Sequence, residues 1–117
     1  MKKKIEIKRI YDKTDPKDGT RILIDRLWPR GIKKEDARID SWMKEIAPSD
    51  SLRKWFNHDP EKWNGFKKKY RTELNKKKEL CEELTKKGKS IITLIYAAKD
   101  EEHNNAVILK KYLEDNY

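Results

Sequence analysis

Ile5, Ile7 and Ile10 alternate with polar neighbours and predict a first strand ending near Tyr11, followed by a turn-rich stretch over 12–20 with Pro16 and Gly19. A tighter run, Arg21-Ile22-Leu23-Ile24-Asp25, is polar only at its ends, the pattern of a strand covered on both faces of a sheet. Past Gly31 the period changes. Ile39, Trp42, Met43 and Ile46 are spaced for one face of a helix that Pro48 stops. Ser49 then caps a short successor carrying Leu52, Trp55 and Phe56, with Asp50 in its first turn where a negative charge suits the helix dipole. Asp59-Pro60 starts a long helix whose apolar stripe, Trp63, Phe66, Tyr70, Leu74, Cys81 and Leu84, faces the sheet until Gly88, tolerant of positive φ, ends it. Residues 90–98 are the most apolar and β-branched stretch and predict the central strand. Asp100 caps a last helix over about 101–114, with Ala106, Leu109 and Leu113 on one side.

The order strand, strand, several helices, strand, helix defines an α/β layered domain with a small, largely parallel sheet of about three strands covered by helices. With 117 residues the chain supports one hydrophobic core, so a single domain over 1–117 is expected. The short connection between the first two strands fits either a wide hairpin or a crossover.

Composition changes this picture little. A chain with 44% charged and 35% hydrophobic residues lies toward the disordered range, but Trp28, Trp42, Trp55 and Trp63, with Phe56, Phe66 and Tyr70, supply large core side chains. The net charge of +9 favours polyanionic partners, yet most of the excess is lysine in runs over 2–4, 67–69 and 76–78, which equally describes solvated helix faces. A single cysteine, Cys81, excludes an intrachain disulfide and lies on a predicted apolar helix face. The N-terminus lacks the apolar stretch of a signal peptide and no run reaches membrane-spanning length, so a cytoplasmic location without membrane contact is expected.

Ligands of open α/β sheets bind outside the carboxyl ends of the strands. Two segments qualify. Asp25-Arg26-Leu27-Trp28-Pro29-Arg30-Gly31 sets two guanidinium forks on a stiff turn, so Arg26 and Arg30 suit a phosphate or carboxylate and Trp28 offers a stacking plane or lid. The same residues also fit a structural turn in which Asp25 pairs with an arginine and Trp28 is core. Residues 96–105 add Tyr96, Lys99, Asn104 and Asn105 as ligand contacts, and His103 as the better of two general acid/base candidates. The other, His58, lies in a turn beside Asp59, and Asp25 is a second possible proton carrier. No glycine-rich nucleotide motif, zinc spacing or nucleophile elbow is present, so neither cofactor nor metal is expected.

Around these segments the chain resembles the YeaO-like family, small bacterial proteins grouped under a domain of unknown function. The resemblance is carried by Lys8-Arg9-Ile10-Tyr11, by the run from Asp18-Gly19-Thr20 through Trp28-Pro29-Arg30-Gly31, by Asp40-Ser41-Trp42-Met43, by Trp55-Phe56-Asn57-His58-Asp59-Pro60, and by Leu94-Ile95-Tyr96-Ala97-Ala98-Lys99-Asp100 with His103-Asn104-Asn105-Ala106. It implies no established activity. Longer relatives of the same grouping look to have a cysteine near the end of the last strand and a Cys-His-Arg at the next helix; this chain has Tyr96 and His103-Asn104 there, so a thiol chemistry does not carry over. Three functions follow as expectations: a pocket for a small anionic ligand such as a phosphorylated metabolite or nucleotide; a nucleic-acid-binding module using Arg53, Lys54 and the lysine runs; and a non-catalytic partner-binding protein using Trp42, Trp55 and Trp63. Oligomeric state is not encoded in any of these features.

Overall fold

The computed structural model describes residues 3–117. One sheet of four parallel strands, β1 (Lys4–Arg9), β2 (Thr20–Leu23), β3 (Ser41–Trp42) and β4 (Ile91–Tyr96), has the spatial order β1-β4-β2-β3. The α/β class and the parallel sheet stand as read from the sequence, with a fourth, two-residue edge strand added to the expected three. β4 is central: Ile5 pairs with Ile92 on one side and Ile22 with Leu94 on the other. Because β1 and β2 flank β4 in parallel, the connection between them is a crossover rather than a hairpin. A 3-10 turn at Pro16–Asp18 shortens it, with the Asp15 side chain accepting from the Lys17 N–H and Asp18 from the Asp15 N–H.

Alternation along the strands sorts side chains to two faces. Ile5, Ile22, Ile24, Ile92, Leu94 and Tyr96 enter the main core with buried side chains of α3 (Trp63–Asn75), α4 (Lys78–Lys86) and α5 (Asn105–Asn116). Leu23 and Ile95 face a thinner layer with Ile10 and Ala37, against which Trp28, Ile39 and Trp42 pack. Arg21 is buried in this layer. It donates to Asp18 Oδ2 at 2.6 Å and to the carbonyls of Arg38 and Ala37, while Lys8 Nζ reaches Asp18 Oδ1 at 2.7 Å. Every donor group of the buried cation thus meets an acceptor, the condition for tolerating a charge in a core.

The helix predicted over 39–46 does not form. The short α1 (Lys34–Ala37) ends at Arg38, whose φ of 50° turns the chain so that Ser41 and Trp42 pair with Ile22 and Leu23. Asp40 fixes this corner by exchanging two 2.8 Å bonds with the Arg21 backbone, its N–H donating to the carbonyl and its carboxylate accepting from the amide. The helix-like spacing serves two layers instead: Ile39 and Trp42 cover the thin face, while Met43 and Ile46 enter the main core. α2 (Asp50–Phe56) starts as expected, with Ser49 Oγ accepting from the Leu52 N–H.

The single long helix after Pro60 is a 3-10 turn (Pro60–Lys62) followed by α3 and α4. At the break the Lys76 and Lys77 amides donate to Glu73 and Leu74 carbonyls, tightening the turn, and Lys77 Nζ donates to the Glu45 and Ala47 carbonyls. Gly88 is needed for space, not for positive φ: a Cβ there would stand 2.7 Å from Ile92 Cγ1 and 3.0 Å from Thr20 Oγ1. α5 starts later than predicted, capped by Asn104, whose Oδ1 accepts from the Val107 N–H; Asp100 caps the preceding bend. No helix among the described residues is long and apolar enough to cross a membrane.

Candidate functional site

A cleft of about 750 Å³ opens where β2 and β4 end, and residues 25–30 line it together with 97–100 and 103–105. The two segments are joined directly. The Asp25 carboxylate accepts from the Ala97 N–H at 2.9 Å and from Asn105 Nδ2 at 3.1 Å, and Asn105 Nδ2 also reaches the Ile24 carbonyl. Burial pushes the Asp25 carboxyl above its ordinary range, while the bonds from Asn105 and Ala97 and the nearby His58 pull it down. Asp25 is thus the brace that holds the ends of two adjacent strands in register.

Arg26 points across the cleft to 47–48, where Nε and Nη2 donate to the Pro48 and Ala47 carbonyls at 3.3 Å; Nη1 has no bond among the described residues. Arg30 is exposed, and its guanidinium makes no hydrogen bond among the described residues. Trp28 is half-buried: its Nε1 donates to the Ile32 carbonyl at 2.6 Å and its ring meets Trp42 edge-on at 5.3 Å. The Asp25 carbonyl accepts from Trp42 Nε1. The turn is therefore rigid, with Gly31 at φ 74° closing it.

In the second segment His103 Nδ1 lies 2.9 Å from Asp100 Oδ2, and Asp100 Oδ1 accepts from the Glu102 and His103 amides. The Glu102 N–H bond leads the effects that hold the Asp100 carboxyl below its ordinary value, against a smaller desolvation effect. A charged carboxylate at Nδ1 requires the proton on Nδ1, which leaves Nε2 of neutral His103 as an acceptor. The Trp63 ring stands at 89° to the imidazole, 5.2 Å away. Lys99 is exposed on the rim. Asn104 and Asn105 line the cleft, but Asn104 is occupied as the α5 cap and by its bond to the Asp100 carbonyl. Tyr96 is 2% exposed and belongs to the core beneath the cleft.

Sequence reasoning did not assign His58, Arg53 and Phe66 to this place, although all three line the cleft. His58 reaches it from a turn in which both Asn57 and His58 have positive φ, 47° and 55°. Phe56 and Phe66 stack at 4.1 Å. Only the Asn57-His58 turn had a local signal, lying between an ending helix and Asp59-Pro60; the other two come from helices that approach through tertiary packing. Among the described residues no group of three or more His, Cys, Asp or Glu side chains is placed to hold a metal ion.

The fold defines a small parallel α/β protein with a cleft at the carboxyl ends of its strands. Residues 4–117 match the family model described as the inactive DUF488-N3 subclade, and the chain belongs to that family. It is similar to the uncharacterised protein YeaO of Escherichia coli, 43% identical over 93% of this chain and 96% of that one. An uncharacterised protein of Mycobacterium tuberculosis is 37% identical over 94% of this chain and 93% of its own. No solved structure matches.

Proposed function

We propose that the chain binds a small anionic ligand, bearing phosphate or carboxylate, in the cleft between 25–30 and 97–105. The observation that carries this reading is the charge of the lining: Arg26, Arg30, Arg53 and Lys99 line the cleft, and the lining carboxylates among the described residues, Asp25 and Asp100, are already engaged by internal donors. Arg30, with its whole guanidinium fork, and Arg26, with the Nη1 left after its bonds to the Pro48 and Ala47 carbonyls, are the clamps, since guanidinium donors match oxyanion geometry. Trp28, Lys99 and Asn105 contribute around them, and His103 exchanges a proton with the anion through Nε2. Asp25 as proton carrier is the weaker part of the reading, because both its oxygens brace the strand ends. The family's description as inactive favours binding without turnover.

The test is thermal denaturation with millimolar inorganic phosphate, methyl phosphate and acetate. A ligand at ten times its Kd that binds only the native state adds about 1.4 kcal/mol of stability, a readable rise in Tm. The rise should shrink in Arg30→Ala and Lys99→Ala, whose exposed side chains leave the fold intact. No rise with any of the anions overturns the reading.

A second reading is nucleic-acid binding. Trp55 is exposed, with Lys62 and Lys69 ammonium groups 5.3 and 5.1 Å from its ring centre, a combination that suits a stacked base beside phosphate. It ranks second because one exposed ring does not make a track. A partner-binding role without chemistry has less support: Trp42 and Trp63 are half-buried, leaving Trp55 as its exposed tryptophan.

A further inference from the structure

The cleft has a second half that the anion does not explain. Among the described residues, Tyr11, Leu27, Trp55 and Tyr117 are the exposed large hydrophobic side chains, and the first two border this one cleft. Leu27 is 60% exposed on a turn whose neighbours Trp28 and Pro29 are packed inward, so the turn presents it outward. Tyr11 is 45% exposed yet held still. Its hydroxyl donates to the Arg30 carbonyl at 2.9 Å, and the Arg9 guanidinium lies 4.9 Å from its ring centre, itself tied to the carbonyls of Ala97 and Ala98. Single exposed apolar residues need no explanation, but an immobilised ring and an outward leucine on the rim of one basic cleft form an apolar shelf beside the cations.

We propose that the ligand is an anion carrying a ring or similarly flat apolar body, its charged end among Arg26, Arg30 and Lys99 and its body against Leu27 and Tyr11. The inference rests on the anion-binding reading and adds the ligand's second half. A ring tied down before binding, as Tyr11 is by its hydroxyl, loses little side-chain freedom on contact, so area buried on it converts to affinity with less offset than on a mobile side chain. The inorganic anion alone would leave Leu27 and Tyr11 wet.

Calorimetric titration with methyl phosphate and phenyl phosphate separates the two halves, because both carry the same charged group. Phenyl phosphate should bind about tenfold more tightly, the effect of burying most of one ring face. In the double variant Leu27→Ser/Tyr11→Ser that ratio should fall close to one, whatever loss of the Tyr11 bond to the Arg30 carbonyl does to methyl phosphate binding itself. Both side chains are exposed, and the ratio within one variant is insensitive to a small loss of stability. Equal affinity for the two phosphates in the wild type overturns this inference and leaves the anion reading standing. A ring preference that survives the double variant also overturns it, by placing the ring elsewhere. Binding of neither overturns both.

Discussion

Asp25 and Asp18 are both held by internal donors, but the balance between burial and those bonds tips their protonation in opposite directions. For Asp25, burial outweighs the hydrogen bonds and the folded value stands above the ordinary 3.8. Its contribution to stability is therefore fully present below the unfolded value and is lost as pH rises through the folded one. Asp25→Asn should flatten that part of the stability profile measured by urea denaturation between acid and neutral pH; a variant profile parallel to wild type contradicts this. Asp25→Ala leaves the Ala97 N–H without its acceptor and Asn105 Nδ2 with the Ile24 carbonyl alone, and should destabilise by roughly 1–3 kcal/mol. For Asp18, burial alone would raise the value, but bonds from Lys8, the Asp15 N–H and Arg21 outweigh it, so the folded value is lowered. Its stability is present above the unfolded value and lost as pH falls through the folded one. With Arg21 only 4% exposed, Asp18→Ala strands a buried cation and should reduce stability by roughly 3–5 kcal/mol at neutral pH, read from the urea midpoint. Neither role could be read from the sequence. Asp18 lies in a stretch that looks like any polar turn, and the partner that matters most to Asp25 is an amide far along the chain.

Two glycines with the same sign of φ test how turns are fixed at the level of elements. Gly19 (φ 65°, ψ −135°) precedes β2, and a Cβ there would lie 2.3 Å from the Ile91 carbonyl oxygen. Gly31 (φ 74°) has nothing within 4 Å of such an atom. Gly31→Ala should cost about 1–2 kcal/mol, the left-handed penalty alone. Gly19→Ala adds a collision with the backbone of the central strand to that penalty, so its urea midpoint should fall well below that of Gly31→Ala; equal losses would show that the contact at Ile91 relaxes freely. Legibility follows the same division between local and tertiary causes. β2, β4, the Ser49 cap and the stripe Trp63, Phe66, Tyr70 and Leu74 were legible because hydrophobic period or capping chemistry specified them locally. The strand at Ser41–Trp42 was not, because Ile39, Trp42, Met43 and Ile46 match a helical period by coincidence and only Arg38 and the Asp40–Arg21 pairing reveal the corner. The break between α3 and α4 carries neither proline nor glycine and is fixed by Lys77 reaching across to Glu45 and Ala47.

Across the whole molecule, the net charge of +9 suggests one attraction to polyanions, but geometry divides it. The cleft holds four cations against two engaged carboxylates at the carboxyl ends of the strands. Lys86 and Lys89 lie where the chain enters β4 from its amino end. The six residues of β4 therefore separate them from the cleft by roughly 20 Å, more than twice the screening length of about 8 Å at physiological salt. Charges at that remove act on a bound anion only weakly, whereas a nucleic acid long enough to drape over the surface would feel every lysine and lose affinity steeply with salt. Charge reversal distinguishes the two. At physiological ionic strength Lys86→Glu/Lys89→Glu should leave methyl phosphate binding within about twofold of wild type, because screening removes most of the distant field. Lys99→Glu should weaken it severely by placing an anion on the rim. Retention of single-stranded RNA in a mobility assay should show the reverse order, falling with the paired reversal on the far edge and less with Lys99→Glu. If Lys86→Glu/Lys89→Glu instead abolishes methyl phosphate binding, the anion is held by the general field of a basic surface, and the strand-end cleft loses its claim as the site.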